Sequence, residues 1–289
     1  MRTFRIATGP AIRTPVVCPQ PGRYIARAPC ISFGSLSRAA FVPDSRPVIV
    51  VCSVELEAEP MRSLLDAPVG LSFGGKPAWR AHLDERPVLL MVGGMGKTNA
   101  AHGLTSILEH ERPAGVIGFG VGGAYPGSGL AVGEVAIATE EIYGDEGVEA
   151  PDGWQSTEGI GIPLLVLAGQ SWFNRIPLAA ELVPGVVATI RKSGSIVEAG
   201  PFVTVSSCSG TAARGGELAT RFGAICETME GAAYAHVAAL YNIPYLGIRG
   251  ISNLVEDRDL SAWRLSAAAA AGAQAAALAC RAFWSPQPE

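Results

Sequence analysis

The sequence predicts a domain of the α/β class, in which helices cover both faces of a β-sheet. Short, continuous apolar runs alternate with longer segments of helical character, and glycine-rich turns join several of them. Strands that are apolar along their whole length are typical of sheets buried on both faces. In such sheets ligands bind beyond the carboxyl ends of the strands, so polar residues that follow strands are the first candidates for a site.

Six strands are predicted from runs rich in Val, Ile and other apolar residues, which suit a buried sheet. They cover residues 48–52, 88–92, 115–118, 134–139, 202–206 and 245–251. Four helices are predicted at about residues 55–65, 98–109, 229–241 and 263–283, and the last of these is rich in alanine. Asn242-Ile243-Pro244 predicts the turn between the third helix and the last strand. No repeat or linker interrupts residues 47–285, so we predict one domain there.

The first 46 residues differ from the rest in charge and in periodicity. They contain seven arginines and a single acid, Asp44, and they show no helical or strand period. Such a segment is typical of a disordered or non-essential extension, and we exclude it from the predicted fold. A transit peptide is the alternative, because those segments are also rich in arginine and poor in acids.

Composition argues against several classes of function. The chain has 22 basic and 26 acidic residues, of which 7 and 1 lie in the first 46 positions. The remaining 15 basic and 25 acidic residues carry a net charge of −10, which disfavours nucleic acid as a partner. No apolar run reaches the ~18 residues of a membrane span. Six scattered cysteines without a C-x-x-C pair predict neither a metal site nor a disulfide framework, and they indicate the cytoplasm.

Two glycine-rich segments match nucleotide-binding motifs in part, but each lacks one feature that its motif requires. GGMGKT at residues 93–98 lacks one glycine of a P-loop, because Met91 stands at that position. We expect this turn to present backbone N–H groups to an anionic or hydroxyl group. GFGVGG at residues 118–123 fits G-x-G-x-x-G, but a loop rather than a helix is predicted after it. These glycines are expected to let the backbone approach a sugar or a base closely.

Five segments, in the right order, resemble the nucleoside phosphorylase and hydrolase superfamily. They are SVELEA (53–58), GGMGKT (93–98), LAVGEV (130–135), ETMEGA (227–232) and RGISN (249–253). The resemblance implies a three-layer αβα sandwich with a mixed central sheet, a nucleoside substrate, no cofactor or metal, and a homo-oligomer.

Two further strings are similar to the futalosine hydrolase family. They are GDEGVEAPDGW at residues 144–154 and SNLVEDRD at residues 252–259. The similarity implies hydrolysis of futalosine, a nucleoside with a carboxylated aromatic group at its 5′ end. The products would be hypoxanthine and dehypoxanthine futalosine, in menaquinone biosynthesis.

Glu57 matches the superfamily's catalytic base. Glycosidic cleavage by water needs a carboxylate that positions and deprotonates the water, and Glu57 follows the first predicted strand. The alternative is a solvated glutamate on an amphipathic helix, in which case Glu55 or Glu59 would be equivalent to it.

Met229 and Glu230 match the ribose-binding pair of the superfamily, and Thr228 before them is assigned to substrate binding by the same resemblance. A glutamate accepts hydrogen bonds from both ribose hydroxyls, and these bonds strengthen as the sugar becomes cationic. Methionine offers an adaptable, polarisable surface to the face of the sugar. The alternative for Glu230 is a first-turn acid favoured by the helix dipole.

Asn253 stands where adenine-releasing members of the superfamily have an aspartate. An asparagine cannot give up a proton, but its amide donates to a 6-oxo group and accepts from a protonated N7. The residue therefore predicts a 6-oxopurine such as hypoxanthine, and it argues against classical general-acid catalysis. A loop-capping role after a strand is the alternative.

The remaining candidates are Phe202 and Arg258. Phe202 follows the superfamily region in which an aromatic side chain or backbone lines the base pocket. Arg258, with neighbouring Asp257, Asp259 and Trp263, is interpreted either as part of a 5′-carboxylate pocket or as a solvated loop.

Two other functions compete with hydrolysis. A purine nucleoside phosphorylase would use phosphate on the same scaffold, and Glu57 argues against it because a carboxylate repels phosphate. A nucleoside-binding protein without activity would be stabilised by its ligand but would release no base.

Overall fold

In the computed structural model, which describes residues 45–284, ten strands form one mixed sheet and four more form two small hairpins. In chain order the strands are β1 (Val48–Cys52), β2 (Asp66–Phe73), β3 (Lys76–Leu83), β4 (Arg86–Val92), β5 (Gly115–Ala124), β6 (Val135–Tyr143), β7 (Gly147–Ala150), β8 (Gly153–Ser156), β9 (Leu165–Leu167), β10 (Gln170–Trp172), β11 (Arg175–Ile176), β12 (Val197–Thr204), β13 (Cys226–Thr228) and β14 (Tyr245–Leu254). The hairpins are β7–β8 and β9–β10.

Helices cover the sheet on both faces. They are α1 (Glu55–Arg62), α2 (Lys97–Leu108), α3 (Val183–Lys192), α4 (Ala212–Phe222), α5 (Gly231–Leu240) and α6 (Leu265–Trp284). One apolar core lies under α1, α3 and α6, and a second lies under α2 and α5. The predicted α/β class with a mixed central sheet is thereby confirmed. Within residues 45–284, no helix has both the length and the apolar character needed to cross a membrane.

One strand, β14, pairs with two strands of the sheet that are not neighbours of each other, and so closes part of the sheet into a ring. Its order is β11-β6-β12-β13-β5-β1-β4-β3-β2, and β14 pairs in parallel with β5 and antiparallel with β6. The strands β6, β12, β13, β5 and β14 therefore form a ring. Because β14 closes this ring, its carboxyl end lies beside the carboxyl end of β5, which pairs on its other side with the antiparallel β13.

The structure corrects several predicted boundaries. The strand predicted at 134–139 is Val135–Tyr143, and the strand predicted at 202–206 is Val197–Thr204. Three further corrections concern segments that the sequence analysis singled out. The strand predicted at 115–118 continues to Ala124, because β14 and β13 hydrogen-bond its glycine-rich second half. The strand predicted at 245–251 continues to Leu254, so Asn253 lies within a strand rather than after it. The helix predicted from residue 229 begins at Gly231, with Glu230 as the residue that precedes its first turn.

Several elements had no sequence signal that we recognised. The hairpin of β2 and β3 was missed because β2 is exposed along nearly its whole length and lacks an apolar alternation. The elements β7 to β11, α3 and α4 were missed as well. The predicted N-terminal extension lies outside the described residues, apart from positions 45 and 46.

Candidate active site

A cavity of about 300 Å³ opens at the carboxyl ends of the parallel strands β1, β5 and β14, beside the antiparallel β13. Its wall contains three acids, Glu57, Glu227 and Glu230, and one base, Arg258. Parallel strands bring their carboxyl ends to one edge of a sheet, which is where ligands bind in α/β folds. The position of the cavity therefore agrees with the prediction made from residues that follow strands.

Glu57 is buried at the start of α1, although Glu55 and Leu56 just before it are exposed. It is 4% exposed, and its Oε2 accepts hydrogen bonds from the backbone N–H groups of Ser53 (2.8 Å) and Val54 (3.2 Å). The third residue of a helix often folds back in this way onto its own N-terminus. Its Oε1 accepts from the N–H of Val121 on β5, at 2.8 Å. The solvated interpretation of Glu57 is therefore excluded.

Burial raises the pKa of Glu57, while the N–H of Val121, the charge of Arg249 and the N–H of Ser53 oppose that rise. A carboxylate with a raised pKa is a better proton acceptor than an ordinary one, which suits a general base. Gly120 makes room for it, because a Cβ at Gly120 would lie 2.3 Å from Glu57 Oε1. Gly120 also has φ +152°, a conformation that side chains disfavour.

Glu230 is held by the glycine turn that the sequence analysis singled out. Gly96, the residue before α2, donates its backbone N–H to Glu230 Oε1 at 2.7 Å. Gly94 and Gly96 have φ values of +99° and +87°, which only glycine adopts readily. The prediction that this turn presents an N–H group to an anion is confirmed, and the anion is a side chain of the protein itself.

Arg249 and Glu141 lie buried beneath the cavity. Arg249 is 2% exposed and donates to the backbone carbonyls of Gly118 (3.0 Å) and Ile248 (2.8 Å). Its charge favours the ionised forms of both Glu57 and Glu141. Burial nevertheless raises the pKa of Glu141 to about 8, so this acid is largely protonated at neutral pH.

A chain of hydroxyl groups connects Glu141 to the segment before α5. Thr204 Oγ1 lies 3.5 Å from Glu141 Oε2 and 2.9 Å from the hydroxyl of Thr228. Thr204 also accepts the backbone N–H of Ala232, in the first turn of α5, at 2.8 Å. These bonds fix the turn that carries Met229 and Glu230 into the cavity.

Asn253 follows an irregularity in β14. Ile251 pairs with Gly122 of β5 and Asn253 pairs with Gly123, so Ser252 is an extra residue in the strand. Bulges of this kind re-aim side chains beside active sites. Asn253 Oδ1 accepts from Ser252 Oγ at 2.8 Å, and its Nδ2 donates to the carbonyl of Leu254 at 2.9 Å. The amide is therefore oriented, with one N–H of Nδ2 left for a ligand.

Arg258 and Trp263 form the mouth of the cavity. The guanidinium group of Arg258 lies 4.9 Å from the centre of the Trp263 ring. The acids beside it are engaged elsewhere, because Asp257 accepts the N–H of Ala212 and Asp259 accepts from Ser261. The guanidinium group consequently keeps its N–H donors available at the cavity.

A family model described as the phosphorylase superfamily matches residues 47–284. The chain belongs to this superfamily. A futalosine hydrolase of Thermus thermophilus is 33% identical to it over 199 residues, which are 68% of this chain and 83% of that protein.

Two nucleosidases are also similar. The 5′-methylthioadenosine/S-adenosylhomocysteine nucleosidase of Maridesulfovibrio salexigens is 29% identical over 214 residues, which are 74% of this chain and 88% of that one. The crystal structure of the enzyme of the same name from Neisseria meningitidis, in complex with methylthio-immucillin-A, has a TM-score of 0.71 and 26% identity. The match covers 81% of this chain and 98% of that structure. The superfamily member described here is accordingly a nucleosidase, which hydrolyses N-glycosidic bonds of nucleosides.

Six of the seven predicted site residues line this superfamily member's cavity, namely Glu57, Thr228, Met229, Glu230, Asn253 and Arg258. The exception is Phe202, which is fully buried and packs in an apolar cluster with Cys226 and Ile251. Its prediction as a pocket residue is corrected, because the side chain of Phe202 packs from β12 into this apolar cluster and does not line the cavity.

Three buried charged residues were given no role in the sequence analysis. Glu227 and Arg249 stand inside the ETMEGA and RGISN segments, so their position beside assigned residues was the available signal. Glu141 lies in the second half of β6, beyond the predicted strand, and no motif contains it. Long-range packing alone places Glu141 near Arg249.

Proposed function

We propose that this enzyme hydrolyses the N-glycosidic bond of futalosine, a 6-oxopurine ribonucleoside, and releases hypoxanthine and dehypoxanthine futalosine in menaquinone biosynthesis. The observation that carries the proposal is the arrangement of Glu57, Glu230 and Asn253 around one cavity. The first provides a base, the second a partner for ribose, and the third an amide for the purine. The same proposal includes a homo-oligomer, by resemblance alone, and a cytoplasmic location, which the scattered cysteines indicate.

In this proposal Glu57 takes a proton from water while the water oxygen bonds to C1′ of the ribose. The bond between C1′ and N9 breaks, and its electron pair leaves with the purine, which takes up a proton from solvent to become hypoxanthine, while Glu57 returns its proton to solvent. Positive charge develops on the sugar, and the carboxylate of Glu230 stabilises that charge through the ribose hydroxyls. The amide of Asn253 stabilises the departing base by donating an N–H to its 6-oxo group.

Charge in the cavity supports hydrolysis over phosphorolysis. The described wall has three carboxylates and one guanidinium group, and Arg249 donates to carbonyl groups beneath the cavity. A phosphate dianion next to Glu57 would be repelled in this partly buried environment. Water meets no such repulsion. A purine nucleoside phosphorylase on the same fold is therefore the less favoured alternative.

The 5′ group is supported by similarity and by the mouth of the cavity. The Thermus thermophilus relative is a futalosine hydrolase. Arg258 and Trp263 offer a cation and a flat ring at the opening, which suit a carboxylated aromatic group. The competing substrate is 5′-methylthioadenosine, the substrate class named for the other relatives.

Chromatography of the products tests this proposal. Purified protein is incubated with futalosine, inosine or 5′-methylthioadenosine, each with and without phosphate. We expect hypoxanthine from futalosine at a rate that does not depend on phosphate, and a slower reaction with inosine. Phosphate-dependent turnover, or a preference for 5′-methylthioadenosine, would refute the proposal.

The variant Asn253→Asp tests the preference for the base. A carboxyl group can donate a proton to N7 and accept from a 6-amino group, so we expect weaker use of 6-oxo nucleosides and a gain with 6-amino ones. The ratio of kcat/KM for inosine and adenosine measures this change. An unchanged ratio would show that Asn253 does not determine which purine base the enzyme prefers.

A further inference from the structure

Glu227 is a buried acid on the cavity wall for which the proposed reaction gives no role. It is 6% exposed, and both of its oxygens are engaged. Oε1 accepts the backbone N–H of Ser209 at 2.8 Å. Oε2 accepts from the hydroxyl groups of Ser209 (2.6 Å) and Tyr125 (3.1 Å). All three partners are donors, which fits an ionised carboxylate, since that group only accepts hydrogen bonds.

Strand register places Glu227 and Asn253 on either side of one glycine. Gly123 of β5 pairs with Glu227 of β13 and also with Asn253 of β14. Residues in register on neighbouring strands project from the same face of a sheet. Gly123 has no side chain and itself lines the cavity. A Cβ there would lie 2.7 Å from Val255 Cγ2 and 3.3 Å from Asn253 Nδ2. The carboxylate and the amide therefore flank the part of the cavity wall that Gly123 forms.

Glu227 has accepting capacity left over. An ionised carboxylate has about four lone-pair sites, and the described contacts use three of them. The free site is on Oε1, which accepts a single bond. A buried acceptor of this kind gains most from a ligand that brings an N–H group to it.

We infer that Glu227 is a specificity-determining residue that accepts the N1–H of a 6-oxopurine while Asn253 donates to the neighbouring O6. This inference rests on the proposed function and adds the group that distinguishes two kinds of purine. A 6-oxopurine presents a donor at N1 and an acceptor at O6. A 6-aminopurine presents an acceptor at N1, so its lone pair faces the carboxylate of Glu227.

The two residues then select the base together. An acceptor facing an acceptor leaves both unpaired, and a site built around hydrogen bonds rejects such a ligand strongly. A hydrogen bond to a charged group contributes about 1.5–3 kcal/mol, which corresponds to an affinity ratio of roughly 10- to 100-fold.

Binding of free bases tests the inference without requiring turnover. Calorimetry with hypoxanthine and adenine is performed on the wild-type protein and on Glu227→Gln. We expect the wild type to prefer hypoxanthine, and the variant to lose roughly 10- to 100-fold of its hypoxanthine affinity with no loss for adenine. Glu198→Gln is the matched control, because Glu198 is an exposed strand residue that does not line the cavity.

Ser209→Ala separates base recognition from an indirect effect on the loop that Ser209 belongs to. It removes one donor to Glu227 and leaves the carboxylate in place, so the preference for hypoxanthine is expected to persist. A loss in Ser209→Ala that equals the loss in Glu227→Gln would overturn the inference, as would an unchanged preference in Glu227→Gln.

A measurement on the wild-type protein covers the case in which Glu227→Gln does not fold. In 1-methylhypoxanthine a methyl group replaces the N1–H, so we expect it to bind at least tenfold more weakly than hypoxanthine. Equal binding would refute the inference. The proposed function fails separately, through absence of hydrolysis in the chromatographic experiment, because these binding measurements involve no cleavage.

Discussion

At the inner end of the cavity, Glu57 and Glu230 are 4% and 6% exposed and are held by backbone N–H groups. At the mouth, by comparison, Arg258 is exposed and its guanidinium group lies over the ring of Trp263. Backbone donors in a strand or a helix terminus have fixed directions. An exposed arginine, by contrast, retains several rotamers. The inner end is therefore preorganised, and the mouth is adaptable.

This difference separates two tasks of a nucleosidase. Charge that develops in the transition state is stabilised best by groups that do not have to reorganise. The ribose and the water are the same in every reaction of this type, so a rigid inner end suits them. Substituents at the 5′ position differ between the relatives, and an exposed loop accommodates that variation.

The largest expected effect comes from the inner end, with Glu57→Gln. The amide retains the size of the side chain but cannot take a proton from water, so we expect kcat to fall by roughly 10²–10⁴-fold. Substrate binding should persist. Steady-state kinetics on futalosine and calorimetry with the product hypoxanthine measure the two effects. Unchanged turnover would remove Glu57 from the mechanism.

Glu230→Gln is expected to have the next largest effect. It weakens charged hydrogen bonds to the ribose that strengthen in the transition state, and we expect kcat/KM to fall about 100-fold. A 2′-deoxy substrate lacks one of the hydroxyl groups and should lose less. If the ribo and deoxy substrates lose equal factors, the carboxylate does not bind the sugar hydroxyls.

Arg258→Met tests the mouth and should leave the inner end intact. We expect KM for futalosine to rise about tenfold, because an exposed ion pair with the 5′-carboxylate is lost. The reaction with inosine, which has no such group, serves as the internal control and should change little. A matching loss with both substrates would show that Arg258 acts on the structure of the cavity instead.

The smallest effect is expected beneath the inner end, on stability rather than rate. The folded-state pKa of Glu141 is about 8 and its ordinary value is 4.5, so the folded protein holds a proton that the unfolded chain releases. Its contribution to stability is complete below about pH 4.5 and is lost as the pH rises through about 8. Glu141→Gln should therefore show a flatter dependence of Tm on pH in this window. Parallel Tm curves for the two proteins would contradict this.

Local sequence was informative where function depends on short segments. SVELEA, ETMEGA and RGISN carried Glu57, Glu230 and Asn253, and the structure brings all three to one cavity. Phe202 was misplaced because the sequence does not show which side chains of β12 pack into the apolar core. Glu227 was given no role because its hydrogen-bond donors, Tyr125 and Ser209, are distant in the sequence and come close only in the fold.

The sequence by itself determined the α/β class, since the length and apolar character of a strand are local properties. It also determined the glycine turn at residues 93–98, which requires backbone conformations that favour glycine. Only the tertiary structure decided that β14 pairs with both β5 and β6, that Glu57 is buried, and that Glu227 faces Asn253 across Gly123. Each of these depends on contacts between residues far apart in the chain. Such contacts stabilise the fold only after the intervening chain has been closed into a loop, which a local segment of sequence does not show.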